Sequence, residues 1–142
     1  MKQVKDTKRA EVHINYDGRV IKWFKGTQAR ERFENERCVL NYLENVGCPN
    51  VPRLLEVDES QLKIVTTNCG PSVESLSSHK LQHLFQCLES YGVRHGDQAK
   101  RNVTYDRLSG QFCIIDFEYA TILSNPNHQS PKPFPDLNPI GD

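Results

Sequence analysis

The spacing of apolar residues along the chain changes between alternating and helical, and the changes mark its elements. Val12–Tyr16 and Val20–Phe24 are apolar-rich runs on either side of Asp17-Gly18, so the pattern predicts a β-hairpin. Thr27–Leu43 lacks Gly and Pro and is rich in strong helix formers. Phe33, Leu40 and Leu43 fall on one side of the predicted helix, with Glu36 among them. Between Val51 and Gly70, two short strands are predicted around an acidic turn; Leu62–Val65 is the last strand of a small sheet, and Thr66–Gly70 leads onward. Leu81, Leu84, Phe85 and Leu88 have the i, i+3, i+4, i+7 spacing of a core-packing helix over Ser78–Tyr91, which Gly92 ends. Asn102–Tyr105 and Phe112–Ile115 form a second hairpin around Arg107–Gln111. The predicted fold class is α+β: a small antiparallel sheet with one helix, then a short helical and hairpin part.

Glu36 is the odd member of its stripe. An inward acid is costly unless paired, and Lys22, in the preceding strand V-I-K, is the partner that chain order supplies. Each residue type alone is usually exposed, so the weight rests on their conjunction with a third segment, Val93–Ala120.

That segment reads V-R-H-G-D-Q-A-K-R-N-V-T-Y-D-R-L-S-G-Q-F-C-I-I-D-F-E-Y-A. His95 and Asp97 precede Asn102 closely, and Asp116 comes after two isoleucines at the end of a predicted strand. Asx residues are ordinary turn formers, and a single motif carries a large false-positive risk. The order H-x-D-x-x-x-x-N, strand, I-D-F nevertheless resembles the catalytic and metal loops of the protein-kinase-like phosphotransferases, as V-I-K and the helix Glu36 resemble that family's lysine and glutamate.

The resemblance implies a protein-kinase-like fold. Residues 1–70 would form a sheet lobe with one helix, residues 71–123 a truncated C-terminal lobe with both loops, and residues 124–142 a Pro-rich tail. It implies ATP and Mg²⁺ as cofactors. Lys22 would grip phosphates, Glu36 would orient Lys22, Asp97 would act on the attacking hydroxyl, and Asn102 and Asp116 would hold the metal. The backbone of Thr66, Thr67, Asn68 and Cys69 would read the adenine edge.

Departures from the family pattern are informative. No glycine-rich loop precedes Val12; K-Q-V-K-D-T-K-R-A-E-V stands there, and Lys5, Lys8 and Arg9 could meet phosphates only as charges, without the close approach glycines permit. Glu118 replaces the glycine of D-F-G. I-D-F-E-Y, and H-G-D without its arginine, resemble choline-kinase-like enzymes and aminoglycoside phosphotransferases, and small atypical protein kinases use related variants. Ala99 stands where a lysine is usual, with Lys100 and Arg101 close enough to substitute. Nothing after Ala120 resembles an activation segment or a helical substrate subdomain, which favours a macromolecular acceptor, a protein Ser or Thr, over an enclosed small molecule.

Composition narrows the classes. Over 142 residues the formal charge is zero, which gives no reason to expect nucleic acid or an anionic membrane as partner. The basic run Lys2–Arg9 reads as a solvated terminus. Five cysteines without C-x-x-C spacing, and no apolar run of membrane-span length, suggest free thiols in a reducing cytoplasm, with Cys38, Cys87 and Cys113 in the core. No His–Cys spacing suggests zinc. Ser124–Asp142 holds five of the eight prolines and reads as an extended tail, or as a strap with Phe134 and Leu137 as plugs. Three functions are open: an ATP- and Mg²⁺-dependent phosphotransferase, a pseudokinase-like regulator that binds nucleotide or a protein partner without turnover, or a kinase fragment completed in trans by a partner or second copy.

Overall fold

Five antiparallel strands form the main sheet: β1 (Lys2–Asp6), β2 (Ala10–Ile14), β3 (Val20–Phe24), β4 (Leu54–Asp58) and β5 (Lys63–Thr66), ordered β1-β2-β3-β5-β4. The computed structural model describes residues 2–133. The hairpin expected around Asp17-Gly18 joins β2 to β3, with Val12 opposite Lys22 and Ile14 opposite Val20. Lys2–Arg9, expected as a solvated terminus, instead supplies β1. A register irregularity between Gln3 and Lys5 breaks its alternation, and this hides the strand from a period-two reading.

Helix α1 (Ala29–Asn45) crosses the sheet and buries Arg32, Phe33, Asn35, Glu36, Val39, Leu40 and Leu43. Phe33 meets Phe24 of β3 edge to face, 5.8 Å between ring centroids. Helix α2 (Ser78–Ser90) is capped by Ser77, whose hydroxyl accepts from the Lys80 N–H at 3.1 Å, and buries Phe85 and Leu88. The chain then forms β6 (Val93–Arg94), a short 3-10 turn at Lys100–Asn102, the hairpin β7 (Val103–Asp106) and β8 (Gln111–Ile114), and β9 (Thr121–Ile122), which returns to pair with β6. Phe33, Leu40 and Leu43 from α1 share one apolar cluster with Ile64, Phe85, Leu88, Val93, Val103 and Phe117. Burying a side chain of that size stabilises by about 1.5–3 kcal/mol, so the core ties the sheet to the segments after it. The fold is mixed α+β with small antiparallel sheets.

Two further expectations need revision. Cys113 is buried, but Cys38 and Cys87 are exposed, because each lies beside its helix's apolar stripe rather than on it. Cys69 is buried as well, and all five thiols are unpaired. The first part of the Pro-rich tail is fastened: His128 Nε2 lies 2.6 Å from Asn35 Oδ1, the Ile122 N–H donates to His128 Nδ1 at 2.8 Å, and Ser130 meets Thr121 at 2.9 Å. Phe134 and Leu137, named as plugs, lie outside the described residues. Among the described residues no helix is long and apolar enough to cross a membrane.

Candidate active site

Strand β3 carries Lys22 on the face toward α1, because its neighbours Ile21 and Trp23 take the other face by simple alternation. Helix α1 brings Glu36 to meet it. Lys22 Nζ donates to Glu36 Oε1 at 2.8 Å, to Glu118 Oε2 at 2.9 Å and to Asp116 Oδ1 at 3.3 Å. The three carboxylates have oxygens within 4.8 Å of one another, and the ammonium lies among them. Sequence order alone brought Lys22, Glu36 and Asp116 together as candidates, and the structure places all three in one group.

The segment after β8 is shaped to present these acids. Asp116 has φ 68°, a left-handed conformation that costs a non-glycine residue about 1–2 kcal/mol. Neighbouring hydrogen bonds hold it there: the Phe117 N–H donates to Glu36 Oε2 at 2.9 Å, and the Ile115 N–H to Asn102 O at 2.9 Å. Asn35 Nδ2 donates to the carbonyls of Glu118 and Ala120, both at 2.9 Å. Glu36 therefore aims Lys22 with one oxygen and fixes the Asp116–Phe117 backbone with the other.

Burial works against each charge, and the neighbours decide the outcome. For Lys22, burial is outweighed by Asp116, Glu118 and Glu36, which hold the ammonium well above its ordinary value. For Asp116, burial is outweighed by Lys22, with Lys5 farther out, and the carboxyl is held far below the usual carboxylate range. Glu118 goes the other way: burial, and then the charge of Asp116, push it up to about 7 against the pull of Lys22.

Asp97 and Asn102 form the second group. Asn102 Nδ2 donates to Asp97 O at 2.9 Å and to Asp97 Oδ2 at 3.1 Å. Its amide hydrogens are thereby engaged, and Oδ1 is the atom left to meet a cation. Arg101 Nη2 donates to both oxygens of Asp97, at 2.7 and 2.8 Å, so Arg101 takes the position suggested for a basic partner. His95 joins the two groups. Its Nε2 lies 2.9 Å from Ile115 O, a carbonyl that can only accept, while Nδ1 accepts from the Asp97 N–H at 3.2 Å. The ring is enclosed edge-on by Phe85 and Phe117. Gly96 lies so close to Tyr119 that an added Cβ would sit 2.2 Å from its carbonyl oxygen.

Thr66–Cys69 continue from β5 toward the hairpin. Thr66 is opposite Val20, on the sheet face that also carries Lys22. Several of the backbone groups proposed for adenine are engaged within the chain: the Thr67 N–H donates to Arg53 O at 3.0 Å, and Cys69 O accepts from Thr104 Oγ1 at 2.7 Å. Asn68 is exposed and its side chain accepts from the Gly70 N–H at 2.9 Å.

Three members of the site escaped the sequence reading: Glu118, noted there only as standing in place of a glycine, and two residues of α1. Arg32 is fully buried and donates five hydrogen bonds: to Glu118 Oε1 at 2.6 Å, to Thr27 O at 3.1 and 2.8 Å, to Lys25 O at 2.7 Å and to Arg9 O at 3.2 Å. Asn35 is the other. The signal was their spacing: Arg32 lies one helical turn before Glu36 and Asn35 immediately before it, on the inward side of α1. Scans against models of known protein families and against curated proteins find no match for this chain.

Proposed function

We propose that the chain is a minimal protein-kinase-like phosphotransferase that uses ATP and Mg²⁺. The observation that carries this reading is the buried Lys22–Glu36 pair with Asp116 in the same group, supplied by a strand, a helix and the loop after a hairpin. The donor chemistry fits the cofactor. Asn102 Oδ1 and the Asp116 carboxylate are oxygen ligands of the kind a hard divalent cation takes, and Asp116 is held ionised. Bound MgATP supplies the transferable phosphoryl group. Lys22 would hold phosphate oxygens, with Glu36 fixing its direction. Asp97, anchored through Asn102 and the backbone contact to His95, would take the proton of the acceptor hydroxyl. A protein Ser or Thr is the acceptor class favoured from the sequence.

A second reading, a nucleotide-binding regulator without turnover, draws support from the hold of Arg101 Nη2 on Asp97, which engages both oxygens a base would use. One experiment separates the two. Wild type and Asp97→Asn are incubated with Mg²⁺ and labelled ATP, and MgATP binding is tracked by thermal shift. The enzyme reading expects transfer, autophosphorylation included, to fall about 10²–10⁴-fold in Asp97→Asn. Stabilisation by MgATP, roughly 3 kcal/mol at hundredfold excess over Kd, persists. Equal turnover in both proteins would hand the site to the regulator reading. An unchanged melting temperature at millimolar MgATP, with folded protein, would remove both.

A further inference from the structure

Strand β1 interrupts the regular alternation of the sheet, and the interruption places one more cation beside Asp116. Directly opposed residues share a sheet face. Lys5, Val12, Lys22 and Ile64 oppose one another in turn across β1, β2, β3 and β5, so all four project to the face that carries the site. Gln3, opposite His13, belongs to the other face. Residues two apart on a strand normally share a face; the irregularity between Gln3 and Lys5 reverses this, as a bulge re-aims a side chain. Lys5 Nζ stands 4.0 Å from Asp116 Oδ2, while Lys22 Nζ is 3.3 Å from Oδ1. The Lys5 side chain is 46% exposed and that of Lys22 11%, so one ammonium stands at the rim and the other inside.

The turn that joins β1 to β2 has largely engaged its own backbone. The N–H groups of Arg9 and Ala10 donate to Thr7 Oγ1 at 3.2 and 3.1 Å, and the Thr7 N–H donates to Ala10 O at 2.9 Å. The Arg9 carbonyl accepts from the Lys25 N–H at 2.8 Å and from Arg32. The turn is also pressed against the end of β3: a Cβ on Gly26 would sit 2.5 Å from Lys8 O. Amides bound in this way are not offered to an anion, whereas a rim ammonium is.

We propose that Lys5 is a phosphate-binding residue of the cleft, contacting the phosphate chain of a nucleoside triphosphate by charge where the neighbouring turn does not do so by backbone. This deepens the nucleotide reading above and rests on it. The bulge is the device: without it, a lysine at this position would face away from Asp116.

Isothermal titration of MgATP and of adenosine into wild type, Lys5→Ala, Lys5→Arg and Lys63→Ala tests the proposal. Lys63 opposes Trp23 on the other face, so its removal deletes the same charge away from the site. A charge-assisted hydrogen bond is lost in Lys5→Ala, and MgATP should bind about tenfold more weakly. Adenosine, which has no phosphate, should bind all variants alike, Lys5→Arg should recover most of the loss, and Lys63→Ala should stay within about twofold of wild type. Circular dichroism confirms that each variant is folded. The proposal is overturned if Lys5→Ala weakens MgATP no more than Lys63→Ala, or weakens adenosine equally. Wild type that binds neither ligand would refute the nucleotide reading and this proposal together; wild type that binds MgATP no better than Lys5→Ala would refute this proposal alone.

Discussion

Replacing Arg32 with methionine keeps much of the side-chain volume and removes every hydrogen bond the guanidinium makes. Glu118 Oε1 would lose a partner at 2.6 Å, and the carbonyls of Thr27 and Lys25 would lose donors at 2.7–3.1 Å. Arg9 O keeps its bond from the Lys25 N–H and should matter least. Breaking a buried ion pair from one side costs about 3–5 kcal/mol, because the remaining charge stays buried. Each orphaned carbonyl adds about 1–3 kcal/mol unless water reaches it. These costs overlap, since one relaxation can relieve several of them. An overall loss of about 4 kcal/mol is therefore expected, a large share of the 5–15 kcal/mol typical of a domain. Urea unfolding monitored by far-UV circular dichroism measures it. The double variant Arg32→Met/Glu118→Gln should cost less than the sum of its parts by at least about 1 kcal/mol, because the two groups touch. A loss below about 1 kcal/mol for Arg32→Met, or strict additivity in the cycle, would refute the claim that this guanidinium joins the sheet to the Glu118 segment.

Three further outcomes are expected. Glu118 is held up at about 7 against an ordinary value of 4.5, so between those values the folded chain keeps a proton that the unfolded chain has released; stability should fall as pH rises through the window, and urea midpoints in Glu118→Gln should lose that slope. Asp116 acts in the opposite sense: its stabilisation is complete above its ordinary 3.8 and is lost as pH falls, so Asp116→Asn should unfold with a shallower acid limb. Gly96→Ala combines φ +85° with a Cβ 2.2 Å from Tyr119 O and should cost about 3 kcal/mol by thermal melting; a melting temperature unchanged from wild type would contradict the packing described.

The elements legible in the sequence were those whose signal is local. Apolar-rich runs around Asp17-Gly18 gave β3 at its observed bounds and β2 two residues late, and the leucine and phenylalanine spacing gave α2 within a residue of its ends. Glu36 on an apolar stripe was legible for the same reason, since an inward acid demands a cation and Lys22 was near in the chain order. Strand β1 was not legible, because its bulge and its lysines imitate a solvated terminus. Nor was Arg32, although it shares the stripe with Glu36: its partners are carbonyls at residues 9, 25 and 27, which carry no side-chain signature, and a glutamate eighty-six positions away. The two-residue strands β6 and β9 carry too few residues for any period to register.

The charge inventory of the site constrains any ligand, whichever functional reading holds. Glu36, Asp116 and Glu118 are three buried or largely buried carboxylates, and Lys22 and Arg32 are the two buried cations that contact them. With all five ionised the group carries an excess negative charge. The burial-driven rise of Glu118 to about 7 is one answer to that excess, since a shared proton removes it. Lys5, 4.0 Å from Asp116 at the rim, is another. A polyanion entering alone would compete with the acids for the ammonium of Lys22, whereas one entering with a divalent cation would bring Asp116 a replacement partner. Arg32 does not take part in this exchange, because its bonds to three carbonyl groups hold it in place whatever Glu118 does. The same arrangement that fixes the fold on the Arg32 side thus leaves Lys22 and Asp116 as the groups able to change partners.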